Sequence, residues 1–240
     1  MKTVALFGAK GFVGSEILKA FHQVNQSADQ SSNYSVFSIT RENFENFFGK
    51  SYDYVINAAM PSARFKAKND PLWDFSESVE KTARIYYGFK CKKFIQISSV
   101  SARCQPDTVY GRHRLAAESL VNDGNNLVVR LGPMYASTLS KGVLIDMLRG
   151  NKVFVGAGSR YAFAPLSFVG KWIADNLDCK GIIEIGAKNS ITLGELAKKL
   201  NLNVHFEGKD DYQEILNPKN DFPDVEGVFD FMMEQQRKLK

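Results

Sequence analysis

The chain has 240 residues, enough for one large core with a small appended lobe and too few for two large domains. With 44% hydrophobic and 24% charged residues it has ordinary globular composition, which excludes a disordered chain, and its three cysteines (Cys91, Cys104, Cys179) exclude a disulfide scaffold. They match no metal-ligand spacing with the three histidines, the apolar run after Met1 is too short for a signal peptide or a membrane span, and the formal charge of +5 is mild. The expectation is therefore a cytoplasmic, metal-free protein with reduced thiols.

The first 130 residues alternate short β-branched or aromatic runs with amphipathic segments, the pattern of βαβ units around a parallel sheet. A strand is predicted at 3–7. It runs into Gly8-Ala9-Lys10-Gly11-Phe12-Val13-Gly14, which opens a helix at 12–22 whose Val13, Ile17 and Phe21 recur at helical spacing. Glycines between a strand and a helix allow a tight turn and a close backbone approach to a pyrophosphate, whose charge the helix N-terminus attracts. Gly8, Lys10, Gly11, Phe12, Val13 and Gly14 are thus candidate dinucleotide contacts; a merely tight turn is the alternative.

The polar stretch 25–33 reads as a surface loop. The second strand, at 34–39, runs into Thr40 and Arg41 with no acid at its tip, where an NAD site usually carries one. A guanidinium forks onto phosphate oxygens, so Thr40 and Arg41 favour NADP over NAD through its 2′-phosphate, with Glu42 the neighbour that argues against. A third strand, at 54–57, ends in Asn57-Ala58-Ala59, whose small residues let a flat cofactor lie close. A helix is predicted at 71–89, with Asp70 as N-cap before Pro71.

The strand at 94–98 ends in hydroxyls at Ser98 and Ser99, at the strand end where open α/β sheets bind ligands. Ser99 is placed to hydrogen-bond a substrate carbonyl, or else to cap the chain locally. A helix beginning near 109 carries Tyr110 and Arg114 four apart on one face. A phenol titrates near 10, and a cation beside it stabilises the phenolate and makes it a better proton donor at neutral pH. Seven basic residues and one acid lie between Arg84 and Ala117, so the basic excess surrounds this segment.

After a strand at 127–130, helical patterns at 141–148, 169–177 and 193–200 separate apolar, glycine-rich pieces at 153–158 and 181–186. Residues 1–135 read as the dinucleotide-binding core and 136–240 as remaining strands plus a small substrate lobe, without independent domain status. Arg160 is a candidate for a substrate phosphate, against a plain surface arginine. The acid-rich stretch from Asp210 onward reads as a solvated surface segment.

Taken in order, the glycine trio, Asn57-Ala58-Ala59, Ser98-Ser99, the tyrosine segment and Arg130-Leu131-Gly132-Pro133-Met134-Tyr135 resemble the extended short-chain dehydrogenase/reductase family of nucleotide-sugar epimerases, dehydratases and reductases. The resemblance implies a doubly wound α/β Rossmann fold with a small C-terminal substrate lobe and an NADP cofactor, with NAD the alternative. It implies Ser99 orienting a carbonyl, Tyr110 as acid/base, Arg114 as its cation, Pro133 beside the nicotinamide, and a homodimer built on the helices at 71–89 and 109–121. The family pattern is Tyr-x-x-x-Lys, so Arg114 departs from it: the charge is kept, but arginine is a poor proton relay. Ser99 is followed by Val100 and Ser101, not by the Asp-Glu pair of the family's dehydratases. The expected function is reduction of a keto group on a nucleotide-linked sugar; epimerisation, or non-catalytic NADP(H) sensing, is the alternative. No nucleic-acid module is present.

Overall fold

A computed structural model describes residues 1–26 and 33–238. Of the predicted polar loop, residues 27–32 lie outside the described residues; its flanks are tied by Asn25, whose side chain accepts from the Tyr34 amide and donates to the Tyr34 carbonyl. The chain forms two compact units: Met1–Leu131 with Val169–Ile183, and Gly132–Phe168 with Glu184–Lys240. No helix among the described residues is long and apolar enough to cross a membrane.

The first unit is organised by a parallel sheet. Its strands are β1 (Lys2–Phe7), β2 (Tyr34–Ile39), β3 (Ser51–Asn57), β4 (Lys90–Ser99) and β5 (Leu127–Leu131), and with β9 (Gly181–Ile185) the order is β2-β1-β3-β4-β5-β9. The pairings β1 with β2 and β3, β3 with β4, and β4 with β5 are all parallel. Runs such as Val4–Phe7, Tyr54–Ile56 and Leu127–Val129 are continuously apolar and buried, as strands covered on both faces require. This is the doubly wound α/β fold the sequence implies. The third and fourth strands begin earlier than predicted, at Ser51 and Lys90, because polar residues such as Asp53 and Lys92 extend the ladder in register towards solvent.

Helices α1 (Phe12–Gln26), α2 (Phe44–Phe47), α3 (Arg64–Asn69), α4 (Pro71–Phe75), α5 (Lys81–Gly88), α6 (Ser101–Cys104) and α7 (Val109–Val121) fall between these strands. The helix predicted at 71–89 starts where expected: Asp70 Oδ1 accepts from the Trp73 amide at 3.1 Å. A wide π turn over Ser76–Glu80, in which the Lys81 amide reaches back to the Ser76 carbonyl, divides α4 from α5. Phe89 packs edge-on against Phe7 (4.9 Å) and Phe44 (5.2 Å), fastening α2 and the end of α5 to β1. Helix α7 is capped by Thr108 Oγ1, which accepts from the Gly111 amide. Gly111 is required there, since a Cβ would lie 1.9 Å from the Gln105 carbonyl oxygen.

The second unit contains β6 (Met134–Tyr135) paired with β8 (Ala164–Pro165), and a small sheet of β10 (Ile191–Thr192), β7 (Arg160–Tyr161) and β11 (Tyr212–Gln213). Helices α8 (Val143–Leu148), α10 (Leu193–Lys199) and α11 (Gly227–Lys238) bury Leu144, Met147, Leu193, Leu196, Val228 and Met232 in one cluster. A capping box at Thr192 and Glu195 starts α10. The predicted helix at 169–177 is α9 (Leu166–Asp175). The acidic tail is not a solvated segment throughout. It supplies β11 and the twelve-residue α11, whose Val228, Phe229, Phe231 and Met232 recur at helical spacing and are buried.

One charged contact fixes β1 to β3 at the amino end of the sheet. Asp53 accepts from the Thr3 amide (2.7 Å), the Thr3 hydroxyl (3.0 Å) and Lys92 Nζ (2.7 Å). Lys92 first, and then Thr3, pull its carboxyl from an ordinary 3.8 to about 2. A depressed carboxyl stabilises the fold above its unfolded pKa, and that contribution disappears as pH falls through the folded value. Asp53→Asn should lower the urea midpoint at neutral pH and flatten its dependence on pH between 3.8 and about 2. A variant with the wild-type acid limb would show that this contact is thermodynamically idle.

Candidate active site

The parallel register aligns the carboxyl ends of the strands. Phe7 lies opposite Ile39 and Asn57, Asn57 opposite Gln96, and Ser99 opposite Leu131. The segments following β1, β2, β3 and β4 therefore leave the sheet at one edge, and they carry the sequence-predicted residues of the first unit.

After β1 the chain turns at Gly8, whose φ is +82°, and the Gly11 amide donates to the Gly8 carbonyl at 2.8 Å. A Cβ on Gly8 would meet the Ala58 carbonyl oxygen at 2.5 Å, and one on Gly14 would meet the Gly8 carbonyl oxygen at 2.1 Å. The turn is thus a cradle walled by backbone, closed to side chains, at the head of a fifteen-residue helix. The first-turn amides of that helix, from Phe12, Val13 and Gly14, have no intrahelical acceptor. Such a cradle suits a pyrophosphate, so these residues fit a dinucleotide.

Asn57 fixes the neighbouring turn. It is fully buried, donates to Thr82 Oγ1 (3.1 Å) and Gln96 Oε1 (3.0 Å), and accepts from the Ala59 amide. The Ala58 amide donates to the Phe7 carbonyl, which holds the two small residues against the glycine turn. Past β2, Arg41 is exposed and donates to Glu77 Oε2 at 2.8 Å; Lys81 pairs with the same carboxylate. Burial pushes the Glu77 carboxyl up, but Lys81 and Arg41 outweigh it and hold it below the usual range. The Thr40 hydroxyl, the Glu42 amide and the Lys10 and Arg41 charges likewise hold Glu42 low. Lys10 and Arg41 thus form an exposed cationic corner beside Thr40, shared with two carboxylates.

At the end of β4, Ser98 Oγ donates to Glu118 Oε1 at 2.6 Å, and Arg130 forks onto the same carboxylate. Ser99 Oγ accepts from the Ser101 amide at 3.2 Å and contacts Ser101 Oγ at 3.2 Å, so Ser99 also serves as a local cap. Ser101 is fully buried and accepts from Arg64 Nη2 at 2.9 Å. Arg64 had no sequence signal, since it sits on a six-residue helix without periodicity.

Tyr110 is 8% exposed. The Arg114 guanidinium carbon lies 4.4 Å from its ring centre and that of Arg64 5.8 Å away. Arg114 is 2% exposed, and its Nη2 donates to the Pro61 carbonyl (2.9 Å) and to Ser78 Oγ (2.9 Å) while lying 3.5 Å from Asp74 Oδ1. Its Nε has no hydrogen-bond partner. Asp74 is fully buried, and its other oxygen meets His113 Nδ1 at 2.8 Å. Sequence reasoning missed Asp74 and Ser78. With Thr82 they form a buried polar stripe at four-residue spacing, and their partners Arg114 and Asn57 lie far along the chain.

Pro133 and Arg160 belong to the second unit. The Pro133 carbonyl accepts from the Ala164 amide, joining β6 to β8. Arg160 Nε donates to Glu214 Oε1 at 3.1 Å, an acceptor shared with Ser190. The preceding Gly156-Ala157-Gly158 turn holds the Asp210 carboxylate so closely that a Cβ on Gly156 would lie 2.1 Å from Asp210 Oδ1.

A parallel sheet with a glycine cradle at its carboxyl edge defines a Rossmann-type α/β fold. No protein-family model and no curated protein matches the sequence. Solved structures match over nearly the whole chain. One is the human epimerase family protein SDR39U1 (isoform 2) with NADPH, at TM-score 0.72 and 12% identity, covering 97% of this chain and 99% of that one. Another is UDP-glucuronic acid 4-epimerase from Bacillus cereus with UDP-glucuronic acid and NAD, at TM-score 0.70 and 14% identity, covering 99% and 100%. A third is dTDP-4-dehydrorhamnose reductase from Bacillus anthracis with NADP, at TM-score 0.68 and 15% identity, covering 97% and 98%. The fold implied by the sequence resemblance is the fold observed.

The cradle makes a graded prediction. A methyl on Gly14 must displace backbone, whereas one on Gly11 meets only the Gly8 carbonyl oxygen at 3.1 Å. Gly14→Ala should destabilise the fold by about 1–3 kcal/mol in urea titrations, with Gly11→Ala clearly milder. Equal effects would contradict the packing described.

Proposed function

We propose that this chain is an NADP(H)-dependent reductase that converts a keto group, carried by a nucleotide-linked sugar, into an alcohol. The observation that carries this reading is Tyr110 with the Arg114 guanidinium 4.4 Å from its ring centre, on the helix that follows the Ser98–Ser99 strand end. Further support comes from the fold neighbours, which include nucleotide-sugar reductases and epimerases whose structures hold NAD or NADP.

Gly8, Gly11 and Gly14 would receive the pyrophosphate together with the amides of Phe12 and Val13, while Asn57, Ala58 and Ala59 shape the floor beside them. Lys10, Thr40 and Arg41 would take the 2′-phosphate of NADP in exchange for their contacts with Glu42 and Glu77. When bound, NADPH supplies the hydride. Ser99 Oγ donates a hydrogen bond to the substrate carbonyl oxygen, and Tyr110 Oη delivers the proton to that oxygen. The adjacent cations stabilise the phenolate left behind until solvent reprotonates it.

The committed position of Arg114 supports a second reading. Its head group is engaged by Pro61, Ser78 and Asp74, so a non-catalytic NADP(H)-binding role would retain Arg114 as a structural ion and need no proton from Tyr110. A homodimer is in keeping with exposed Leu72 and Phe75 on α4 and Leu115 on α7.

Fluorescence titration should show tighter binding of NADPH than of NADH, and Arg41→Ala should erase most of that preference. Equal affinities in the native protein would remove the NADP assignment. With a panel of 4-keto nucleotide sugars, NADPH absorbance should fall. Tyr110→Phe should cut that rate by about 10²–10⁴-fold at unchanged NADPH affinity. Binding without turnover across the panel would favour the non-catalytic reading.

A further inference from the structure

A short chain of hydrogen bonds stands behind the Ser99 hydroxyl. Arg64 Nη2 donates to Ser101 Oγ at 2.9 Å, the Ser101 and Ser99 hydroxyl oxygens are 3.2 Å apart, and the Ser101 amide donates to Ser99 Oγ at 3.2 Å. Ser101 is fully buried and Ser99 half-buried, while Arg64, the first residue of α3, is exposed. The Arg64 guanidinium carbon also lies 5.8 Å from the Tyr110 ring centre, so one cation borders both the Ser99 side and the Tyr110 side of the candidate site.

A guanidinium has hydrogens to give and no lone pair to offer, so the first link sets the polarity of the chain: Ser101 Oγ must accept from Arg64. Across the 3.2 Å between the two hydroxyls geometry permits either to donate, and burial decides between them. If Ser99 donated, Ser101 Oγ would accept twice, and its own hydrogen would be shut off from water with no acceptor among the described residues. Buried hydroxyl hydrogens are costly to leave unpaired. With Ser101 donating, its hydrogen is satisfied, and Ser99 Oγ accepts from both the Ser101 hydroxyl and the Ser101 amide. The Ser99 hydrogen is then left pointing away from the pair.

We propose that Arg64 is a positioning residue for Ser99, acting through Ser101: its guanidinium fixes the direction of these hydrogen bonds so that Ser99 presents a hydrogen, and not a lone pair, to a ligand. This rests on the reading of Ser99 as the group that donates to the substrate carbonyl oxygen. A carbonyl oxygen only accepts, so a hydroxyl already filled by two incoming bonds meets it without reorienting. Without Arg64, Ser101 Oγ is open to accept from Ser99, and the pair loses its fixed direction.

Neutron diffraction from perdeuterated crystals of the full chain reads the direction without any substrate. The Ser101 deuteron should lie on the line to Ser99 Oγ and the Ser99 deuteron off it; in Arg64→Met the Ser99 deuteron should turn towards Ser101. A native Ser99 deuteron on Ser101 Oγ, or an Arg64→Met crystal with the native setting, overturns the proposal. Kinetics give a second check with any 4-keto nucleotide sugar that the protein reduces with NADPH. Arg64→Met should lower kcat by about 10-fold at near-native KM, and Arg64→Lys, which keeps a donor, should restore most of it. In a Ser101→Ala background Arg64→Met should change kcat by less than about twofold, because the relay is already cut. A full effect of Arg64→Met in that background would mean that Arg64 acts without Ser101, and the proposal falls. The reductase reading fails separately: the proposed deuteron setting with no NADPH oxidation keeps the positioning of Ser99 and removes the activity, whereas Ser99-dependent oxidation with the opposite setting does the reverse.

Discussion

Helix α7 meets the first unit through a face that is charged as well as apolar. Its buried positions are Tyr110, Gly111, Arg114, Ala117, Glu118 and Val121, so two of the six are ions. Each ion is matched: Arg114 by Asp74, Ser78 and Pro61, and Glu118 by Ser98 and Arg130. Removing one partner of a buried pair leaves an uncompensated charge, typically worth about 3–5 kcal/mol, so these contacts leave few alternative seatings for the helix. Apolar packing tolerates a sliding or rotated helix far better than a set of directional bonds does. The placement of Tyr110 therefore depends on the partners of Arg114 and Glu118 more than on the volume of its own ring.

The same partners connect the site to the sheet. Glu118 is tied to Ser98, the residue before Ser99, and Arg130 is the register partner of Ser98 on β5. On the other side, the stripe Asp74, Ser78 and Thr82 reaches Arg114 at one end and Asn57 at the other. Asn57 in turn holds the Ala59 amide, and Ala58 closes on the glycine turn. One helical stretch thus links the tyrosine segment to the glycine cradle. The π turn within it matters because the extra residue per turn changes the direction of the stripe without ending the helix.

Much of this was legible in the sequence because it is local. The glycine spacing, the apolar strands and the hydroxyls at the end of β4 depend on chemistry within a few residues, and the register of a parallel sheet then brings them to one edge. Asp70 before Pro71 announced its helix correctly. What the sequence did not disclose depends on pairs far apart in the chain. Asp74 is polar in a helix otherwise read for its apolar face, and nothing near it indicates that Arg114, 40 residues on, takes its charge. The carboxyl tail misled for a related reason: its acids dominate the composition, yet the apolar residues of α11 are spaced to bury one face. The pairing of Arg160 with Glu214 was invisible because the two are 54 residues apart.

Arginine at the position where the resembled family carries lysine also has a geometric explanation. The guanidinium is planar, so it can present its face to an aromatic ring while its edge nitrogens bond in the plane. Arg114 uses both: its carbon is 4.4 Å from the Tyr110 ring centre, and Nη2 engages two neutral oxygens at 2.9 Å. An ammonium is a point charge on a flexible stem and has no separate face and edge to divide between such partners. With arginine, the cation beside Tyr110 belongs to the folded protein itself and does not wait for a ligand to orient it. That is the physical consequence of an arginine at this position: the cation is held in place by the buried groups around it.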